Sequence, residues 1–186
     1  MNVPGEGPEN GMKLIGLAGW SGAGKTTLLT QLIPHLVTQG VRVSTVKHAH
    51  HNFDVDVPGK DSWLHREAGA SEVLVSSGRR WALMHELRGA PEYSLRDLLA
   101  KMSPVDLVIV EGFKTGEHPK IEIHRVANGK ALLHPDDPAI VGIATDADVK
   151  TSLPSVHLGD IPAIAKMVRA HAINVSDLAL QATERR

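Results

Sequence analysis

The chain has 186 residues, of which 42% are hydrophobic, and its 20 Lys and Arg side chains are nearly balanced by 21 Asp and Glu. It contains no cysteine, which excludes disulfides, zinc-thiolate sites and thiol catalysis. With a net charge of -1 and 3% aromatic residues, neither nucleic acid nor a membrane surface is expected as a partner. At roughly 150 residues per domain, a chain of this length is expected to form one domain. Because no apolar run reaches the roughly 18 residues of a membrane helix, we expect a cytoplasmic protein.

The first part of the chain predicts two strands joined by a helix. Residues 1–12 are rich in Gly, Pro, Glu and Asn, a composition typical of a disordered tail. The continuous apolar run 13–19 predicts a strand buried in a parallel sheet. In 25–39, apolar residues recur every three to four positions, which predicts an amphipathic helix. A second strand is expected over 41–47.

The middle of the chain predicts two short helices and a pair of strands. Asp61 is expected to be the N-cap of a helix that ends near residue 68. The apolar runs 71–77 and 79–87 are separated by a glycine turn and predict strands. Ser94, followed by Asp97, resembles a capping box and predicts the start of the next helix.

The last part of the chain predicts a central strand, a hairpin and a terminal helix. Residues 106–112 form the most strongly apolar strand candidate. The pair Asn128-Gly129 favours a tight turn, so the flanking segments are expected to pair as a hairpin. A further strand is predicted over 140–144, and Asp160 is expected to cap a helix that reaches about residue 171.

A phosphate-binding motif lies between the first predicted strand and helix. Residues 19–26 read GWSGAGKT, a full match to G-x-x-x-x-G-K-[ST] in the strand-to-helix context that the motif requires. Backbone N–H groups of such a loop surround phosphates, the lysine charges the β and γ positions, and the hydroxyl binds Mg²⁺. The residues expected to bind nucleotide here are Gly19, Ser21, Gly22, Ala23, Gly24, Lys25, Thr26 and Thr27, with Lys25 also catalytic and Thr26 a metal ligand.

Several carboxylates are candidates for the remaining roles. Glu111 follows the most apolar strand, where an open α/β sheet binds its ligand, and it is expected to accept from a Mg²⁺-bound water or to orient the attacking water. Asp54, Asp56 and Asp61 are alternatives as a further Mg²⁺ acceptor, with Asp61 favoured. Asp146, after the strand over 140–144, is expected to hydrogen-bond a purine edge.

The phosphate loop and the strand pattern together predict an α/β, three-layer P-loop NTPase fold with a mostly parallel sheet and a β-hairpin extension. The nucleotide-binding domain is expected to span 13–173, with 174–186 as a tail or a short helix. The histidines His48, His50 and His51 leave a second reading open, because imidazole and carboxylate groups at close spacing also suit Zn²⁺ or Ni²⁺.

A family resemblance is carried by four stretches in order and spacing: AGWSGAGKTTLL, VKHAHHNFDVDVPGKDSWLHREAGA, RRWALMHEL and LVIVEGFK. From residue 13 to about 167 the chain resembles the MobB family of molybdopterin-guanine dinucleotide biosynthesis adapter proteins. The resemblance implies a dimeric GTP-binding protein with weak GTPase activity. It implies partnership with the guanylyltransferase that joins GMP to molybdopterin.

The choice of GTP rests on that resemblance alone, because the N-K-x-D guanine signature is absent from the sequence. Two alternatives remain open at this point. One is a metal-insertion GTPase that uses the histidines, and the other is a small-molecule kinase that uses ATP.

Overall fold

The computed structural model describes residues 11–49, 53–113 and 116–178. Most of the predicted tails, 1–12 and 174–186, lies outside these residues. The chain forms two compact units, of which the first contains residues up to 48 and from 99 onward, and the second contains 49–98. In chain order the elements are β1 (Lys13–Ala18), α1 (Lys25–Thr38), β2 (Val43–Lys47), α2 (Asp61–Glu67), β3 (Glu72–Ser76), β4 (Trp81–His85), α3 (Leu95–Leu99), β5 (Leu107–Glu111), β6 (Lys120–His124), β7 (Ile140–Thr145), β8 (Ser155–His157), α4 (Ile161–His171) and β9 (Ile173–Asn174).

The first unit is built on a seven-stranded sheet in the order β2-β5-β1-β6-β7-β8, with all of these neighbours parallel. The short strand β9 pairs antiparallel with the first residues of β1. This confirms the predicted α/β fold with a mostly parallel sheet. Since the strands run in one direction, the loop after β1 and the residues after β5, β6 and β7 lie along the same edge.

The core of the first unit lies between the sheet and two helices, α1 and α4, which also contact each other. The apolar stripe predicted for α1 is buried, and this helix continues through Pro34 to Thr38. Asp160 caps α4 as predicted, because its side chain accepts a hydrogen bond from the Ala163 backbone N–H at 3.0 Å. The largest side chains that are almost fully buried in this core are Ile15, Leu32, Leu36, Ile109, Ile121, Ile123 and Ile164.

The predicted hairpin around Asn128-Gly129 is wrong. Within residues 116–178 the chain leaves β6 and forms a short 3-10 turn, Val126–Asn128, and no strand follows before β7. The physical reason is that β6 pairs with β1 on one side and with β7 on the other, both parallel. Both of its hydrogen-bonding edges are therefore occupied, and an antiparallel hairpin partner has no place beside it.

The two strands predicted on either side of Gly78 are present in the second unit as β3 and β4. Strands β3 and β4 pair antiparallel along their whole length, from Glu72 opposite His85 to Ser76 opposite Trp81. The prediction that Asp61 is the N-cap of α2 is wrong. Lys60 takes that position, and Asp61 is the first helical residue.

The capping box that begins α3 is confirmed. The Asp97 N–H donates to the Ser94 hydroxyl at 3.2 Å, and the Ser94 N–H donates to the Asp97 carboxylate at 3.2 Å. Among the described residues, no helix combines the length and the apolar character needed to cross a bilayer.

Candidate nucleotide-binding site

The predicted phosphate loop connects β1 to α1 in the first unit. Three of its glycines have positive φ angles: Gly19 at 146°, Gly22 at 81° and Gly24 at 94°. A side chain at Gly19 would also be blocked, because its Cβ would lie 2.5 Å from the Ile123 carbonyl oxygen on β6. The loop conformation therefore requires glycine, as the motif predicted.

The amino terminus of α1 has backbone N–H groups that are available to bind an anion. Gly24 is the N-cap, no side chain of the described residues caps the helix, and its first turn contains no acidic residue. The first N–H groups of a helix have no partner within the helix and carry a partial positive charge. A phosphate bound at this loop would satisfy these donors.

The ammonium group of Lys25 lies inside the loop. Its Nζ donates to the carbonyl oxygens of Gly19, at 2.6 Å, and of Trp20, at 3.1 Å. These bonds hold the positive charge of Lys25 against the backbone of the loop. Thr26 and Thr27 follow at the start of the helix, and both are exposed. A cation, a hydroxyl pair and backbone donors thus converge in one short stretch of chain.

Residues 125–131, which follow β6, brace this loop from the side; we call them the bracing segment. The Asn128 side-chain amide donates to the Ser21 carbonyl oxygen at 3.0 Å. The Trp20 indole N–H donates to the Ala131 carbonyl oxygen at 2.8 Å. No role in the loop was predicted for Asn128 or Trp20, because these contacts join positions more than 100 residues apart.

The bracing segment begins with Arg125, which sequence reasoning missed. Its Nη2 would lie 3.3 Å from a Cβ on Gly24, so the guanidinium lies beside the phosphate loop. The signal in the sequence was weak: a basic residue directly after a strand of the sheet.

Asp146 lies one residue beyond β7 and contacts the start of the bracing segment. Its Oδ1 accepts from the Val126 N–H at 2.9 Å, and its Oδ2 lies 3.7 Å from Nη1 of Arg125. The hydrogen bond from Val126 is the main reason that the pKa of Asp146 is below its usual value. The carboxylate is thus engaged with the bracing segment, and its predicted bond to a purine stays a prediction.

Residues 132–139, which connect the bracing segment to β7, are held by two buried polar side chains of β6. Glu122 is 1% exposed and accepts from the backbone N–H groups of Leu133, at 2.6 Å, and His134, at 3.0 Å. Lys120 is 3% exposed and pairs with Asp137 at 2.9 Å. Because breaking a buried, paired charge is costly, these contacts fix the connection firmly against the sheet.

Glu111 ends β5 at the same edge of the sheet, opposite Leu17 on β1 and Lys47 on β2. It is partly buried, and its carbonyl oxygen accepts from the His48 N–H at 2.8 Å. The centroids of the His48 and Phe113 rings lie 4.8 Å apart, and the ring planes are tilted by 37°. Glu111 is therefore on the strand adjacent to β1, as its predicted role requires.

The alternative metal site cannot be built from the described residues. His50 and His51 lie outside them, and within residues 11–49, 53–113 and 116–178 no group of three His, Asp or Glu side chains is arranged to hold a metal ion.

The aspartates considered as further Mg²⁺ acceptors belong to the second unit. Arg66 pairs with Asp54 at 2.7 Å and with Asp56 at 3.3 Å, and the Ser62 hydroxyl donates to Asp56 at 2.7 Å. The pKa of Asp56 is lowered chiefly by this bond from Ser62, and the pKa of Asp54 chiefly by the Asp56 N–H. Asp61 is exposed on α2, and its grouping with Thr26 and Glu111 stays a prediction.

Comparison with known proteins gives consistent results. Residues 14–146 match the sequence model of MobB, molybdopterin guanine dinucleotide synthesis protein B. The molybdopterin-guanine dinucleotide biosynthesis adapter protein of Haemophilus influenzae is 41% identical over 162 residues, covering 86% of this chain and 89% of that protein. The protein of the same name from Escherichia coli K12 is 40% identical over 161 residues, covering 83% and 90%.

Solved structures agree in fold. A MobB homologue from Bacillus stearothermophilus superposes with a TM-score of 0.61 at 26% identity, covering 84% of this chain and 98% of that one. Bacillus subtilis MobB superposes with a TM-score of 0.66 at 21% identity, covering 87% and 98%. The extent of the sequence match, together with the phosphate loop at its start, shows that this chain belongs to the MobB family.

Proposed function

We propose that this protein is a GTP-binding adapter with slow GTPase activity in molybdopterin-guanine dinucleotide biosynthesis, acting with the guanylyltransferase that joins GMP to molybdopterin. The observation that carries the proposal is the phosphate loop, with Lys25 held inside it and the amino terminus of α1 uncapped. The adapter role is supported by the names of two relatives that match over most of their length.

The chain's own groups fit a nucleoside triphosphate. The backbone N–H groups of residues 19–27 would bind its phosphates, and Lys25 would neutralise the charge at the β and γ positions. Thr26 and Glu111, with Asp61 as the proposed third group, would bind Mg²⁺ or its water ligands. When bound, Mg²⁺ would neutralise phosphate charge further. We propose that Glu111 orients the water that attacks the γ-phosphate, with slow turnover, as in GTPases without an activating partner.

We also propose that the protein is a homodimer joined through the β3–β4 hairpin. The hairpin exposes large apolar side chains: Leu74 is 60% exposed, Val75 45%, Trp81 65% and Leu83 48%. A two-stranded sheet is marginally stable alone in water, and its unpaired edges favour pairing with another strand. A second copy presents the same apolar surface and the same edges, so a symmetric contact would cover both.

The nucleotide proposal is tested by calorimetric titration of GTP and ATP with and without Mg²⁺. We expect Mg²⁺-dependent binding with a clear preference for GTP. Lys25→Ala should weaken GTP binding by about 100-fold or more, because several charge-assisted bonds to phosphate are lost. Without nucleotide, its thermal stability should stay close to that of the wild type. Lys166→Ala, an exposed lysine on α4, is the matched control and should bind normally.

The outcomes separate the alternatives. A preference for ATP, with phosphoryl transfer to an acceptor other than water, would replace the adapter by a small-molecule kinase. Binding of Ni²⁺ or Zn²⁺ at one ion per dimer would favour the metal-insertion GTPase. Loss of the fold in Lys25→Ala would contradict the role given to Lys25, because it would make that lysine structural.

A further inference from the structure

We propose that Arg125 contacts the phosphate chain of the bound nucleotide, as a second cation beside Lys25, and that Asp146 and Asn128 hold it in position. The inference rests on the proposed binding of GTP and adds a residue outside the phosphate-loop motif to that site.

The position of Arg125 follows from the sheet topology. Arg125 comes directly after β6, which pairs in parallel with β1, so both strands deliver their next residues to the same edge of the sheet. The guanidinium reaches the loop there: its Nη2 would lie 3.3 Å and its Nε 3.6 Å from a Cβ on Gly24. Gly24 directly precedes Lys25, and its N–H belongs to the set that would surround a phosphate.

The protein leaves the guanidinium's donors largely unused. Arg42 binds both oxygens of Asp106, at 3.2 Å and 2.9 Å, and Arg66 binds three carboxylates in the second unit. By contrast, the guanidinium of Arg125 makes no hydrogen bond with any other described residue, and its ion pair with Asp146 is 3.7 Å long. Its side chain is 41% exposed. A guanidinium has five N–H donors in a geometry that suits phosphate oxygens.

The segment that carries Arg125 is fixed at two points. Asp146 accepts from the Val126 N–H at 2.9 Å, directly after Arg125, and Asn128 donates to the Ser21 carbonyl oxygen at 3.0 Å within the loop itself. The cation and the phosphate loop therefore share one hydrogen-bonded framework. Such preorganisation lowers the entropy lost when the side chain binds an anion. Asp146 and Asn128 are thus positioning residues.

The experiment compares wild type, Arg125→Ala, Arg125→Gln and Arg125→Lys by competition calorimetry with GTP, GDP and guanosine. We expect the Ala and Gln variants to bind GTP and GDP about tenfold more weakly, the loss typical of one charge-assisted contact, and guanosine as well as the wild type does. The Lys variant should keep most of the affinity because it keeps the charge. Arg42→Ala, which breaks the Arg42–Asp106 pair in the same unit, should leave all three affinities unchanged.

Asp146→Ala, which removes the acceptor of the Val126 N–H, tests the positioning role. It should weaken GTP binding about threefold in the wild-type background, a partial loss of that contact, and have no further effect in Arg125→Ala. An equal loss in both backgrounds would show that Asp146 acts independently of Arg125 and would overturn its positioning role.

Two results would overturn the role of Arg125 itself. One is unchanged GTP affinity in Arg125→Ala while the wild type binds normally. The other is an equal loss for guanosine, rescued by Gln rather than Lys, which would indicate stacking on the base. If the wild type binds no nucleotide, the proposed function itself fails. If the wild type binds GTP and Arg125→Ala binds it equally well, only the inference about Arg125 fails.

Discussion

The two units bury their apolar side chains in opposite ways. In the first unit, large residues on the sheet and on α1, such as Ile15, Leu32 and Leu36, are 0% exposed. In the hairpin of the second unit, Leu83 is 48% exposed and Trp81 is 65% exposed. The first unit therefore encloses a core of its own, whereas the hairpin of the second unit exposes large apolar side chains. Burial within the chain therefore accounts for the first unit, whereas the exposed hairpin of the second is the surface on which the proposed dimer depends.

The second unit relies on charge where the first relies on packing. The Arg66 side chain, 13% exposed, pairs with Asp54, Asp56 and Glu86. These bonds, that to Glu86 foremost, raise the pKa of Arg66 above its usual value. The backbone around α2 is tied in addition by Arg88, which donates to the carbonyl oxygens of Arg66 and Ala70. A small unit can thus keep its shape while its apolar hairpin stays exposed.

The largest expected effect is on assembly. Replacing Trp81 and Leu83 by Ser removes four large apolar side chains from a symmetric dimer. At about 1 kcal/mol for each, the dissociation constant should rise about a thousandfold. Sedimentation equilibrium measures this change. Val37→Ser is the control, since Val37 is 54% exposed but lies on α1 in the first unit. A monomeric wild type would contradict the proposed dimer. An unchanged dissociation constant in the variant would show that the interface does not include the hairpin.

Truncating one buried leucine of the first unit and one exposed leucine of the hairpin tests whether the two units differ in packing. Leu32→Ala should destabilise the protein by about 3 kcal/mol, because it leaves a cavity under a fully buried side chain. Leu83→Ala, at a concentration where the protein is monomeric, should cost less than about 0.5 kcal/mol. Urea unfolding followed by circular dichroism measures both. Similar losses in the two variants would mean that the hairpin is as well packed as the sheet, and the contrast between the units would be wrong.

Acid should weaken the first unit selectively through His118. This side chain is 2% exposed, and burial, with the nearby Lys120 charge, lowers its pKa from 6.5 to about 4. The unfolded chain therefore binds a proton that the folded chain does not, and stability falls as the pH drops below about 6.5. Between about pH 7.5 and 5 this group should cost about 2 kcal/mol.

The measurement is the pH dependence of urea unfolding in the wild type and in His118→Gln. The variant should lose this part of the slope, whatever its stability at neutral pH. A slope that stays the same in the variant would assign the acid sensitivity to other groups.

Local pattern predicted the phosphate loop, the central strands and the capped helices, because their signals lie within a few residues. The glycines, Lys25 and the capping residue Asp160 are examples. Contacts between distant positions could not be predicted in the same way. Asn128-Gly129 reads locally as a hairpin turn, and only the parallel pairing of β6 on both sides shows why no hairpin forms.

The same limit applies to the candidate site. Glu111 follows an apolar strand and could be found from the sequence, whereas Arg125 depends on β6 lying beside β1. The ion pairs around Arg66 could not be predicted from the sequence either, because the carboxylates are 10 to 20 residues away along the chain. Strand order, which a single sequence does not contain, decides which of these side chains meet.

The smallest expected effect concerns the capping box of Ser94 and Asp97 in the second unit. Ser94→Ala removes the acceptor of the Asp97 N–H and should cost about 1 kcal/mol. In hydrogen exchange, protection should fall at the start of α3, while the strands of the first unit keep theirs, because they are held by their own core. The double variant with Asp97→Ala should lose little more, since the two side chains form one reciprocal pair. If the exchange of β1 and β5 also rises, the second unit supports the sheet energetically, and the two units form one cooperative structure.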